Sequence, residues 1–174
     1  MTMLPTPEHE DRFWSLLEEA WAPQSKKTNK ARRKLAERRP GKDVDVEDLE
    51  EAWEDVQEHL EAACAELTTE ELTDLDRVVE RKLYNLDRAD LQEVTDGSDD
   101  GFLYARGFIV AMGRTYYEAA KAEPRLAVPD AEAEEMCYLF AHLNQNRFGT
   151  FPETNSGISR ESCSNPTGWP TLTN

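Results

Sequence analysis

The chain has 174 residues, 20 of them basic and 36 acidic, and a net charge of −16 at neutral pH. This length is typical of a single domain with its own hydrophobic core. The negative charge argues against a sequence-independent nucleic-acid binder, because contacts to phosphates need a basic surface.

Further classes of protein are excluded by patterns along the chain. No apolar run has the length that crosses a membrane, and the first residues lack the basic and apolar parts of a signal peptide. The three cysteines (Cys64, Cys137 and Cys163) are odd in number and widely spaced, which fits a reducing compartment. We therefore expect a cytoplasmic protein with no membrane partner.

The sequence patterns in the first half of the chain predict helices. Thr6 and Pro7 can begin a helix over 7–22, and apolar residues recur every three or four positions over 45–66. Thr68 and Glu71 form a capping-box pattern that starts another helix. Between the first two helices, residues 24–42 hold nine basic residues and one acid, a net of +8, and have little to bury.

The second half contains the most apolar stretch. Ser98 or Asp99 can cap a helix that we predict to run to about Lys121, with Arg106 as the one charged residue between positions 101 and 112. We expect this to be the central helix of the fold. Pro124 ends it, because a proline excludes the preceding residue from the helical region.

A last helix is predicted from Pro129–Asp130 to about Phe148, with Gly149 as its C-terminal signal. Apart from valine and threonine the chain has few β-branched residues, since isoleucine occurs only twice. The predicted fold class is therefore all-α: one domain (1–149) of about five helices around a central buried helix. Residues 150–174, nine of them Ser or Thr, are expected to form an irregular C-terminal tail.

The segment 98–118, SDDGFLYARGFIVAMGRTYYE, is similar to the signature of the bacterial domain-of-unknown-function family 4240. Weaker similarities are the opening Phe13-Trp14-x-Leu16-Leu17-Glu18 and the turn Leu67-x-x-Glu70-Glu71-Leu72. The resemblance covers roughly residues 10–128. It implies an all-helical cytoplasmic domain, and the family has no assigned activity from which a function could be inferred. The stretch 24–66 is expanded relative to the family pattern, and the tail has no counterpart in it.

One candidate site combines two arginines near a glycine. If the helix is continuous, Arg106 and Gly113 share a face and Arg114 lies about 80° away. Two guanidinium groups beside a glycine gap could clamp a carboxylate or phosphate. The residues of this anion or ligand site are Arg106, Arg114, Asp99, Asp100 and Tyr104. The alternative is that Arg106 is a buried structural tether and that the two acids only cap the helix.

The basic segment is a candidate for partner binding. Its residues for this role are Lys26, Lys27, Lys30, Arg32, Arg33, Arg38 and Arg39. An acidic protein is favoured as the partner, since the rest of the chain would repel a nucleic acid. The alternative is a solvated segment that folds back on the acidic surface.

The tail is rich in side chains that modifying enzymes use. Its candidates are Ser156, Ser159, Ser162, Cys163, Ser164 and Thr167. A ribosomal peptide precursor has this layout, with a helical leader before a Ser/Thr/Cys-rich core. The alternative is an extension that docks its apolar residues in surface grooves.

No other chemistry is indicated. The chain has no His-x-x-x-His, no Cys-x-x-Cys and no glycine-rich phosphate loop, so we expect no metal and no cofactor. The leading hypothesis is a cytoplasmic, non-enzymatic interaction or accessory protein. The alternatives are an enzyme or anion-binding protein with a pocket at Arg106 and Arg114, and a modified-peptide precursor.

Overall fold

Helices account for most of the computed structural model, which describes residues 1–95 and 98–170. No strand occurs in these residues, so the all-α class is confirmed, as a single compact domain. The helices are α1 Pro7–Trp21, α2 Lys26–Glu37, α3 Glu47–Ala63, α4 Thr69–Asn85, α5 Ala89–Gln92, α6 Asp99–Ala111, α7 Arg114–Ala122 and α8 Glu134–Phe148. In addition, Pro124–Leu126 and Pro166–Gly168 each form a 3-10 turn.

Several helix ends form where capping residues predict them. The Thr6 hydroxyl accepts the His9 N–H at the start of α1, and Thr68 and Glu71 cap α4 reciprocally. Ser98 accepts from the Gly101 N–H at the start of α6. Gly149 ends α8 in the left-handed region, at φ 78°.

The predicted continuous helix over 98–121 is wrong. The chain breaks between α6 and α7 at Gly113, whose φ of 105° lies outside the helical region. A Cβ at this glycine would stand 2.7 Å from a Glu18 carboxylate oxygen and 2.8 Å from an Arg32 nitrogen. The gap expected beside Gly113 is therefore filled by an ion pair of the protein itself.

The predicted start of the last helix is also wrong. The structure places the first residue of α8 at Glu134, because Asp130 adopts a left-handed φ of 59° and the chain stays non-helical up to Ala133. The Ala133 N–H instead donates to the carbonyl of Tyr104 on α6, at 3.1 Å. This bond places the beginning of α8 against α6.

The core lies between α4, α6 and α8. Helix α8 packs on both others, while α1 packs on α3 and α4, and α2 packs on α3 and α7. Every residue from Gly101 to Gly113 except Tyr104 is buried. No helix in the described part of the chain is both long enough and apolar enough to span a membrane.

Gly107 sets the distance between α6 and α8. A Cβ at this position would lie 2.5 Å from the Ala133 carbonyl oxygen and 2.7 Å from Cys137 Sγ. The first of these atoms is backbone and cannot rotate away. A glycine is therefore required at this helix crossing for steric reasons.

We expect Gly107→Ala to destabilise the protein by about 2–3 kcal/mol, because the added methyl forces the two helices apart. Urea unfolding followed by circular dichroism measures this change. Gly149→Ala is the control: a Cβ there meets no atom within 4 Å, so its cost of about 1 kcal/mol comes from the positive φ alone. Stabilisation by Gly107→Ala, as helix propensity alone would give, would contradict this account.

Candidate functional site

The predicted anion site does not assemble. Arg106 is fully buried on α6, where its guanidinium donates to the Leu83 carbonyl at 2.9 Å and to Ser162 Oγ at 3.1 Å. Arg114 begins α7, is exposed, and pairs with Asp11 at 3.2 Å. The break at Gly113 puts the two arginines on separate helices with different partners. The assumption that one helix carries both was wrong.

The other members of that set have separate surroundings. Asp99 and Asp100 are exposed in the first turn of α6, and the Asp99 carbonyl accepts from the Ser162 hydroxyl at 2.6 Å. A hydrogen bond to Glu134 raises the pKa of Tyr104. Burial lowers the pKa of Arg106, while the negative charge of Asp87 opposes that effect. These contacts describe Arg106 as a tether between α6, α4 and the tail.

The basic candidates fall into two groups, those bonded to the rest of the fold and those exposed to solvent. Arg32 donates to both carboxylate oxygens of Glu18 at 2.8 Å and to the Met112 carbonyl at 3.0 Å. Arg38 donates to the carbonyls of Leu35 and Ala127. These two arginines hold the fold together. The other five candidates are exposed: Lys26, Lys27, Lys30, Arg33 and Arg39.

The tail is docked along α4 and α6 as far as Pro170. Asp87, at the end of α4, is fully buried and accepts four bonds from the tail: the backbone N–H groups of Cys163, Ser164 and Asn165, and the Trp169 indole N–H. The Trp169 ring meets Phe102 edge-on, with centroids 6.0 Å apart. Of the apolar tail residues expected to dock, Trp169 is buried and Phe151 is exposed. Residues 171–174 of the predicted tail lie outside the described residues.

The tail candidates for modification differ in access. Ser156 is buried and donates to Glu80, and the Ser162 hydroxyl is engaged on both sides by Arg106 and Asp99. Ser159, Cys163 and Thr167 are exposed, while Ser164 is half-buried. Partial burial and the charge of Asp87 raise the pKa of Cys163. The precursor hypothesis stays a prediction.

The two other cysteines lie in the core. Cys64 and Cys137 are both fully buried. Burial raises the pKa of Cys64 to about 11 and that of Cys137 to about 12. Both thiols are therefore protonated and inert at neutral pH.

The sequence patterns did not predict a buried charge cluster that the structure contains. Asp76 and Glu80 lie one turn apart on α4, and Arg160 of the tail reaches both, with Nη2 at 2.9 Å from Asp76 Oδ2 and 3.3 Å from Glu80 Oε2. All three residues are less than a tenth exposed. The signal was present: both acids occupy the apolar stripe of α4, among Leu72, Leu75, Val79 and Leu83.

Arg160 also donates a hydrogen bond at a point where α8 is distorted. Tyr138 has non-helical angles, φ −133° and ψ 16°, in the middle of that helix. The carbonyl of the preceding residue, Cys137, accepts from Arg160 Nη1 at 2.5 Å. The guanidinium thus satisfies a backbone group at the kink as well as two carboxylates.

A family model described as "Protein of unknown function (DUF4240)" matches the chain over residues 42–145. That range covers more than half of the chain. The chain belongs to the DUF4240 family. The matched range contains the 98–118 segment and the Leu67–Leu72 turn, whereas the opening motif at Phe13 precedes it. Comparisons with curated proteins and with solved structures found no match.

Some of the residues described above lie inside the DUF4240 match and others lie outside it. Asp76, Glu80, Asp87 and Arg106 lie inside the matched range. Helix α2 precedes that range, and the tail with Arg160 follows it. The exposed basic residues on α2 and the guanidinium of the buried cluster are therefore contributed by parts of the chain outside the family match.

Proposed function

We propose that this protein is a cytoplasmic, non-enzymatic interaction protein that binds an acidic segment of a partner protein through α2. The observation that carries the proposal is a basic face on this helix. At about 100° per residue, five basic side chains and the acidic side chain of Glu37 fall within an arc of about 120°. The basic ones are Lys26, Lys27, Lys30, Arg33 and Lys34, and we call them the α2 basic face; all five are exposed.

Few of the charges on the α2 basic face are paired with acidic side chains of the same chain. Lys27 lies 3.4 Å from Asp48, in a pair whose side chains are 87% and 67% exposed. The other four side chains form no ion pair with any residue in 1–95 or 98–170. Leu35, the one buried residue of α2, points to the opposite side of the helix. The helix is thus attached to the fold by one side and presents positive charge on the other.

The surrounding charge favours a protein over a nucleic acid as the partner. Outside residues 24–42 the chain carries 11 basic and 35 acidic residues, a net of −24. A long polyanion would extend beyond the α2 basic face into this negative field. A short acidic peptide can stay within the face, because charges separated by more than about 8 Å are largely screened at physiological salt.

The proposal predicts that a deca-glutamate peptide binds the protein in a salt-dependent way, as measured by fluorescence anisotropy. Lys26→Gln, Lys30→Gln and Arg33→Gln together should weaken binding at least about tenfold, since each removes a surface charge from the contact. The control is Asn146→Glu, Thr150→Glu and Thr167→Glu together, at exposed positions outside α2. Both triple variants change the net charge by three units.

Equal weakening by the two triple variants would overturn the proposal, because binding would then depend only on total charge. Tighter binding of a single-stranded oligonucleotide than of the peptide would also overturn it. That outcome would replace an acidic protein with a nucleic acid as the partner.

A further inference from the structure

An open cavity of about 380 Å³ lies beside the buried charge cluster, between α4, α8 and the tail. Carboxylates Asp76 and Glu80 and the guanidinium of Arg160 form its polar end. Tyr138, His142 and Phe151 form an aromatic wall, with Ala141 and Pro152 beside them. The volume lies within the range of small-molecule sites, about 300–1,000 Å³.

The polar end of the cavity has an excess of negative charge. Two carboxylates face one guanidinium there, and all three groups are nearly removed from water. The neighbouring Arg77 pairs with Asp74 at 2.6 Å and donates to the Thr154 carbonyl, and its charge offsets that of Asp76 less than the charge of Arg160 does. A buried negative charge without a counter-ion is unfavourable, and a bound cation relieves that cost.

The carboxylate oxygens retain capacity to accept hydrogen bonds. Each Asp76 oxygen accepts one bond, both from Arg160. Glu80 Oε1 accepts from Thr154 and Ser156, whereas Oε2 accepts from Arg160 alone among the described residues, at 3.3 Å. A carboxylate oxygen has two lone pairs. A primary ammonium group, with three N–H donors, matches these remaining acceptors.

The aromatic wall suits the same class of ligand. The His142 ring stacks on Tyr138, with centroids 5.9 Å apart, and Phe151 lies 6.2 Å from His142. Phe151 is 60% exposed, so an aromatic face remains open at the mouth of the cavity. Aromatic faces attract organic cations, and their apolar area can cover the organic part of the ligand.

We infer that this cavity binds a small organic ammonium ion, with its charged nitrogen at Asp76 and Glu80 and its apolar part against Phe151. The inference is independent of the role of α2, which lies on a different part of the surface. A partner for α2 would be a protein, whereas this cavity admits only a small molecule. Failure of either proposal leaves the other standing.

The probe for this site is benzylamine, tested by calorimetric titration and by chemical shifts of the full chain. We expect a Kd of about 1 mM or below. Benzyl alcohol and benzoate, which have similar shapes but no positive charge, should bind at least about tenfold more weakly. Equal binding of benzyl alcohol would overturn the charge argument, and no binding of benzylamine would overturn the inference.

Two variants test the location of the site. Phe151→Ala removes an exposed ring of the wall and should weaken benzylamine binding about tenfold. Phe148→Ala is the matched control, because Phe148 is also exposed, at 45%, and does not line the cavity. Glu80→Gln should weaken the amine and leave benzyl alcohol unchanged. Equal losses in the two phenylalanine variants would place the amine elsewhere and overturn the inference.

Discussion

Arg160→Met is expected to lower the free energy of unfolding by about 3–5 kcal/mol, because it leaves Asp76 and Glu80 buried without their counter-ion. Methionine keeps much of the length and apolar contact of the arginine stem. The Cys137 carbonyl at the kink in α8 loses its donor as well. Urea denaturation followed by far-UV circular dichroism measures the loss.

The control for this variant is Arg39→Met, at an exposed arginine. It should change stability by less than about 0.5 kcal/mol. Combining Arg160→Met with Asp76→Asn and Glu80→Gln should recover part of the loss, since the uncompensated charges are then gone. If Arg160→Met and Arg39→Met were equally harmless, the charge cluster would not be holding the tail on the fold.

The same variant should become more stable in mild acid. Burial raises the pKa of Asp76, and the attraction of Arg160 opposes that rise. Without Arg160 the folded-state pKa of Asp76 moves further above its unfolded value of about 3.9. The folded chain then binds more protons than the unfolded chain, so stability rises as pH falls from neutral through the folded pKa. Urea midpoints at pH values between neutral and mild acid should show a larger gain for the variant than for the native protein.

Local rules predicted much of the fold. The caps at Thr6, Thr68 and Ser98 depend on residues within one turn of each helix start, and the sequence shows them directly. The boundary errors arose at Gly113 and Asp130, where positive φ values interrupt a pattern that otherwise continues. At Gly113 the break makes room for the Glu18–Arg32 pair, which no local rule contains.

The buried charge cluster and the docking of the tail depend on contacts between distant parts of the chain. Arg160 meets Asp76 across 84 positions, and Asp87 meets Cys163 across 76. Hydrophobic periodicity identified the apolar stripe of α4. It did not show that the two carboxylates within the stripe, Asp76 and Glu80, pair with Arg160. A polar residue inside an apolar stripe requires a partner, and the partner came from a tail whose composition resembles a flexible segment.

Asp87→Ala is the second change with a large expected effect. The aspartate carboxylate gathers three consecutive backbone N–H groups and the Trp169 indole N–H, at 2.6–3.0 Å. Its removal leaves these donors without that acceptor, at about 1–3 kcal/mol for each donor that is buried; the bonds of the Asn165 N–H and the Trp169 indole N–H are the buried ones. Release of the tail into water limits the total, so we expect a loss of about 3 kcal/mol.

Hydrogen exchange locates this effect. The amides of Cys163, Ser164 and Asn165 should exchange about 100-fold faster in Asp87→Ala, which corresponds to the expected 3 kcal/mol. Asp43→Ala, at an exposed aspartate, should leave their exchange unchanged. Unchanged protection in Asp87→Ala would show that Arg160 and Trp169 packing suffice to hold the tail. Selective loss would instead show that one carboxylate at the end of α4 organises the last part of the fold, because no helix or strand in the described residues accepts from those amides.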